Sequence, residues 1–257
     1  PAATPAPAAE VQFDVFFGFD DRVRAGHWFP VTIEILNDGP TYTGTILIGP
    51  EDQWERDQQA LRLELPTNTR KRVSLPLFAG GRRTGWDLRL LDDKGALVAE
   101  RLGVQPKVTA VEIPLLGAIP RMFGGLPALP DLGDRADNYA PAVARLQPDY
   151  LPANPLALDG LTAIYLNSEK ATDIRPEQVD ALLAWIHAGG HLIVALEQPG
   201  DVLGLAWLRN LLPFSPETAT ELPIGDSFDA WIQAAPAPPA PSPQRNPARR
   251  RAQSAEA

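Results

Sequence analysis

From Val11 to about residue 106, apolar residues recur at every second position. Val11, Phe13, Val15 and Phe17 set the period, and Val31, Ile33 and Ile35 repeat it around Thr32 and Glu34. Ile46 with Ile48, then Leu61-Leu63-Leu65, Val73-Leu75-Leu77 and Leu88-Leu90 follow the same rule, and Leu97-Val98 opens a weaker last segment. Turn residues separate these runs: Asn37-Asp38-Gly39-Pro40, Gly49-Pro50, Pro66-Thr67-Asn68, Gly80-Gly81 and Asp92-Asp93-Lys94-Gly95. Alternation places one row of side chains on each face of a strand, so short strands punctuated this way predict an antiparallel sandwich over 11–106.

Past Pro106 the period changes. Residues 108–116 read as an apolar strand, and a Pro- and Gly-rich connection follows over 117–159, with a short helix expected near 140–146. Residues 161–166 are apolar throughout, which suits a strand buried on both faces of a parallel sheet. Pro176 suits the first turn of a helix, and Val179, Leu182, Leu183 and Ile186 form an apolar stripe at helical spacing. Gly189 suits the left-handed residue that closes such a helix. His191-Leu192-Ile193-Val194-Ala195-Leu196 reads as the next strand, and 203–212 as a further helix. Strand, helix, strand is the unit of an open parallel sheet.

Composition narrows the function classes. The chain has 257 residues, 44% hydrophobic and 21% charged, enough for a real core. A net charge of −9, with no element dense in Lys and Arg, excludes a nucleic-acid partner. Zero cysteines exclude disulfides, thiolate metal sites and iron–sulfur clusters. No run reaches the ~18 apolar residues of a membrane-spanning helix. Residues 1–10 form an Ala/Pro linker that reads as the remnant of a removed signal peptide or as a boundary, which points to export. Residues 234–257 are a Pro/Ala/Arg-rich tail expected to lack a core, with Arg249-Arg250-Arg251 as a solvated charge run.

Several segments carry a family resemblance. They are Gly26-His27-Trp28-Phe29-Pro30-Val31-Thr32-Ile33, Asn37-Asp38-Gly39, Leu65-Pro66, Arg70-Lys71-Arg72-Val73 and Leu91-Asp92-Asp93-Lys94-Gly95 in the first half. In the second they are Leu158-Asp159-Gly160-Leu161, Arg175-Pro176-Glu177-Gln178, Leu182-Leu183-Ala184-Trp185-Ile186 and Gly189-Gly190-His191-Leu192. Together they resemble bacterial envelope proteins that place an immunoglobulin-like sandwich ahead of a class I glutamine amidotransferase-like domain. The resemblance implies a sandwich over 11–106, then a flavodoxin-like open parallel sheet of amidotransferase type over 107–233. It also implies a periplasmic or extracytoplasmic location, with a membrane tether outside this chain.

The departures from that family bear on activity. Its active members carry a cysteine at the turn after the strand matching 191–196, and this chain has Leu196-Glu197. They carry a Gly-rich oxyanion loop where this chain has Asn167-Ser168-Glu169-Lys170, and a later His-Glu pair where this chain has no histidine beyond His191. A thiolate attacks an amide carbonyl and a leucine does not. With nucleophile, base and oxyanion loop absent, the expectation is a pseudoenzyme without cofactor.

Open parallel sheets bind ligands at the carboxyl ends of their strands. Those ends present Asn167, Ser168, Glu169, Glu197 and Gln198, the candidate binding cluster for a glycan or peptide; loop and cap chemistry also explains such residues. Trp54, in the hydrophilic stretch 51–59, is a candidate contact residue for a protein partner. His27-Trp28 reads either as an aromatic platform or as a plug at the end of the sandwich, with Trp28 or Phe29 filling it. His27, His187 and His191 share no spacing that turns them to one face, so no metal site is expected. The resulting expectation is a non-catalytic binding or scaffolding protein of the cell envelope with a membrane or envelope partner. The alternative is a hydrolase using Glu169 and Glu197 as acid and base, and a third reading is a structural spacer.

Overall fold

Among the described residues of the first half there are nine strands, β1 (Val11–Phe17), β2 (Arg22–Arg24), β3 (Trp28–Asn37), β4 (Tyr42–Pro50), β5 (Gln59–Leu65), β6 (Thr69–Phe78), β7 (Trp86–Asp92), β8 (Leu97–Val104) and β9 (Lys107–Thr109). The computed structural model describes residues 11–51, 57–80, 85–122, 125–126, 141–212 and 214. Trp54 lies outside them. The described residues fall within one unit, Pro1–Glu217.

The strands form an antiparallel sheet β1-β3-β6 and a second antiparallel sheet β5-β4-β7-β8. Phe13, Phe29, Val31, Ile33 and Ile35 from the first share one core with Ile46, Ile48, Leu65, Trp86 and Leu88 from the second. Phe17, Phe29 and Trp86 meet in that core with ring centroids 5.8–6.4 Å apart. Each fully buried large side chain contributes roughly 1.5–3 kcal/mol, so this layer explains why the alternating segments pair as they do. The β-sandwich is the architecture the alternation predicts.

The alternation misleads at β3. Its outward-facing Thr32 and Glu34 are each only 5% exposed, because residues 148–158 cover that face. The weak segment beginning at Leu97 is a full eight-residue edge strand, β8. Two short strands escape the pattern: β2 and β9 pair in parallel as a two-stranded ribbon. β2 is reached through a tight turn in which Asp20 and Asp21 take φ of 52° and 59°. Phe19 and Arg22 exchange both backbone hydrogen bonds across it, at 2.8 and 3.0 Å. Positive φ at both central positions is the hairpin geometry that follows strand twist.

The second half holds a parallel sheet of β10 (Leu115–Ile119), β11 (Ala142–Arg145), β12 (Ala163–Asn167) and β13 (His191–Ala195), in the order β11-β10-β12-β13. The expected strand over 108–116 is therefore two elements. A turn closed by Ile113 N–H to Ala110 O at 3.1 Å redirects the chain between β9 and β10, and Pro114, which cannot donate, marks the break. The helix expected near 140–146 is instead β11. Pairing with β10 in register Leu115 to Ala142 overrides the helical preference of alanine.

Helix α1 (Pro176–His187) starts at the expected proline. Its end is a Schellman cap: Gly190 N–H reaches Trp185 O and Gly189 N–H reaches Ile186 O, both at 3.0 Å, with Gly189 at φ +105°. The buried face is Gln178, Val179, Ala181, Leu182 and Trp185, whereas Leu183 and Ile186 are only partly covered. The expected stripe is thus turned, because Gln178 points inward. Its Oε1 accepts from Arg175 N–H at 2.9 Å and its Nε2 donates to Pro148 O and Leu151 O at 2.8 and 2.6 Å. The single helix expected over 203–212 is two, α2 (Pro199–Leu203) and α3 (Ala206–Leu211), separated at Gly204-Leu205. No helix among the described residues is long and apolar enough to cross a membrane.

Candidate functional site

The order β11-β10-β12-β13 reverses direction between β10 and β12, and such a reversal opens a crevice at the carboxyl ends of the strands. Three chain segments meet there. β10 runs out through Pro120 to Arg121, β12 ends at Asn167 and continues into the 3₁₀ segment Ser168–Asp173, and β13 leads through Leu196 and Glu197 to α2.

The crevice holds an ion triad. Arg121 Nε lies 2.8 Å from Glu169 Oε2, and another nitrogen of the same guanidinium, Nη1, lies 3.1 Å from Glu197 Oε2. Asn167, 4% exposed, donates through Nδ2 to Glu197 Oε1 at 3.1 Å and accepts the Glu169 N–H on Oδ1 at 3.1 Å. Beneath them Ser168 is fully buried. Its hydroxyl donates to Asp201 Oδ2 at 2.6 Å and accepts the Glu197 N–H at 3.0 Å.

The structure therefore brings Asn167, Ser168, Glu169 and Glu197 together, as their strand-end positions suggest. Gln198 adjoins them as the residue before α2 and gives its backbone N–H to Asp201 Oδ2 at 3.3 Å. Leu196, at the turn where the resembling family has its thiol, is 42% exposed. The sequence reading missed Arg121 and Asp201. Arg121 was hidden because the expected strand stopped at residue 116, so the polar residue two places past the end of β10 at Ile119 was assigned to a linker. Glu169 and Glu197 share one cation, Arg121, and Ser168 is spent on a carboxylate and an amide. The arrangement ties three segments together and presents a partly solvated charged rim.

The histidines fall apart. His27 Nδ1 sits 3.1 Å from Asp159 Oδ2, whereas His187 and His191 are exposed at the end of α1 and the start of β13. No group of three or more His, Cys, Asp or Glu side chains suited to a metal occurs among the described residues. Phe29 fills the sandwich core at 0% exposure, and Trp28 lies against Phe78 with centroids 5.5 Å apart. Trp28 also joins the two halves: its N–H donates to Asp159 Oδ2 and its carbonyl accepts the Gly160 N–H, both at 3.0 Å.

A second joint is ionic. Glu34 Oε1 accepts from Arg72 Nε at 2.8 Å and from the Tyr150 hydroxyl at 2.9 Å, while Arg70 binds Oε2. The Arg72 guanidinium also stacks 4.1 Å from the centroid of the Tyr150 ring. Burial pushes the Glu34 carboxyl up, but the bonds from Arg70, Tyr150 and Arg72 outweigh it and hold it below its ordinary range. Burial, and the bond it gives to Glu34, push the Tyr150 phenol up.

Comparisons with known proteins find one matching family model, over the sandwich. A family model described as a domain of unknown function, DUF8726, matches residues 10–104, the sandwich half. No curated protein matches the chain. Among solved structures, one similarity is to the CARDB domain of a Pyrococcus furiosus protein in complex with di-metal ions. It has 8% identity and a TM-score of 0.31, covering 42% of this chain and 95% of that one. Another is to a Listeria innocua beta-glucosidase in complex with glucose, with 10% identity and a TM-score of 0.23, covering 39% of this chain and 17% of the enzyme. A third is to a Paenibacillus cycloisomaltooligosaccharide glucanotransferase complexed with cycloisomaltoheptaose. That match has 12% identity and a TM-score of 0.28, covering 70% of this chain and 27% of the enzyme. The ligands of those proteins are theirs alone, and the sandwich stands on its own strand pairing.

Proposed function

We propose that the chain is a non-catalytic binding or scaffolding protein of the bacterial cell envelope. On this reading it combines an immunoglobulin-like sandwich with a degenerate glutamine amidotransferase-like domain. The observation that carries the non-catalytic reading is the Arg121 triad. Glycoside hydrolysis needs two carboxyl groups that flank the scissile bond, and here the Arg121 guanidinium takes the place between them, 2.8 Å from Glu169 Oε2 and 3.1 Å from Glu197 Oε2. The sheet order supports the amidotransferase-like assignment, since it is the flavodoxin-like order through its first four strands. The thiol, the later histidine and the Gly-rich loop that such a domain would need are replaced by Leu196-Glu197, by no histidine beyond His191, and by Asn167-Ser168-Glu169-Lys170. On the same reading the location is extracytoplasmic and a membrane or envelope protein is the partner.

The test uses the full chain and its Glu197→Gln variant. Both are expected to release no ammonia from glutamine and no reducing ends from cell-wall glycan. Both are expected to capture the same protein from detergent-solubilised envelope fractions. Hydrolysis by the unmodified chain that disappears in Glu197→Gln would overturn the reading in favour of a carboxylate-dependent hydrolase.

A further inference from the structure

We draw no further inference here: the strongest candidate, the face of the parallel sheet that carries Tyr165 beside the half-exposed Ile193 and lies outside the buried core shared with α1, is an apolar face, and nothing in the structure shows what covers it.

Discussion

Glu34 offers the sharpest quantitative test, because its burial and that of its partners differ. The carboxylate side chain is 5% exposed, whereas the side chains of Arg70 and Arg72 are 70% and 37% exposed. The register sets Glu34 opposite Arg72 on β6 and opposite Asp14 on β1, so its attraction comes from one side of the sheet and repulsion from the other. Substituting Glu34→Gln removes the buried charge, and both arginines can return to water. The loss is that of hydrogen bonds to a charged acceptor, less the desolvation cost that the carboxylate no longer carries, or about 1–2 kcal/mol. Substituting Arg70→Met with Arg72→Met does the opposite. It strands the one charge that cannot reach water, for which about 3–5 kcal/mol is expected. Urea unfolding at pH 7 reads both values. The pH dependence should also change sign. In the unmodified protein the lowered Glu34 pKa contributes stability above its ordinary 4.5 that is lost as pH falls through the folded value. Without the arginines, burial acts unopposed by them and raises that pKa. The penalty is then largest at neutral pH and is relieved as pH falls. A double-methionine variant that costs less than Glu34→Gln, or that weakens further on acidification through this window, would refute the argument.

Two further perturbations probe local packing. The Tyr42 phenol, which donates to Leu91 O at 2.7 Å, is pushed up to about 12 by burial and by the nearby Asp92 and Asp93. The difference in absorbance titration between the chain and Tyr42→Phe should place the Tyr42 transition toward pH 12, and its contribution to stability should hold below pH 10 and fade as pH rises toward 12; a Tyr42 transition near pH 10 would contradict its burial. At the end of α1, a Cβ on Gly190 would sit 2.3–2.5 Å from the Trp185 ring atoms, so Gly190→Ala should cost about 1–3 kcal/mol in urea unfolding, with a change in Trp185 fluorescence; a neutral result would show that the ring moves aside freely.

The legible parts of the fold were those fixed by local period. The sandwich strands follow from alternation, and α1 follows from Pro176 and Gly189. What stayed hidden depends on pairing with distant segments. β2 and β9 are each three residues long, too short to show a period, and exist because each completes the other. β11 reads Ala-Val-Ala-Arg, with no strong preference, and is a strand because β10 lies beside it. The inward Gln178 broke the apolar stripe because it satisfies the backbone of residues 148–151, an account that no helical wheel contains. At the strand ends, Asn167, Ser168, Glu169 and Glu197 were legible from their position after apolar runs. Arg121 was not, since its strand begins seven residues later than the pattern placed it. The burial of Glu34 was equally invisible: a glutamate in an alternating strand reads as solvent-facing until another part of the chain covers it.

The two joints fix how the sandwich and the parallel sheet meet. Here residues 148–160 are fastened to β3 at both ends. Tyr150 is tied to Glu34 and stacked on Arg72 at one end, and Asp159-Gly160 is bonded to His27 and Trp28 at the other. Tyr150 belongs to the joint and, beside Phe16, to the wall of a groove of about 730 Å³. The hydroxyl that satisfies the buried carboxylate therefore also fixes the ring whose edge supports Phe16. The cost of burying Glu34 is met by contacts that tie residues 148–150 to β3 and β6, which gives a physical reason for placing a carboxylate where an apolar residue would pack more cheaply.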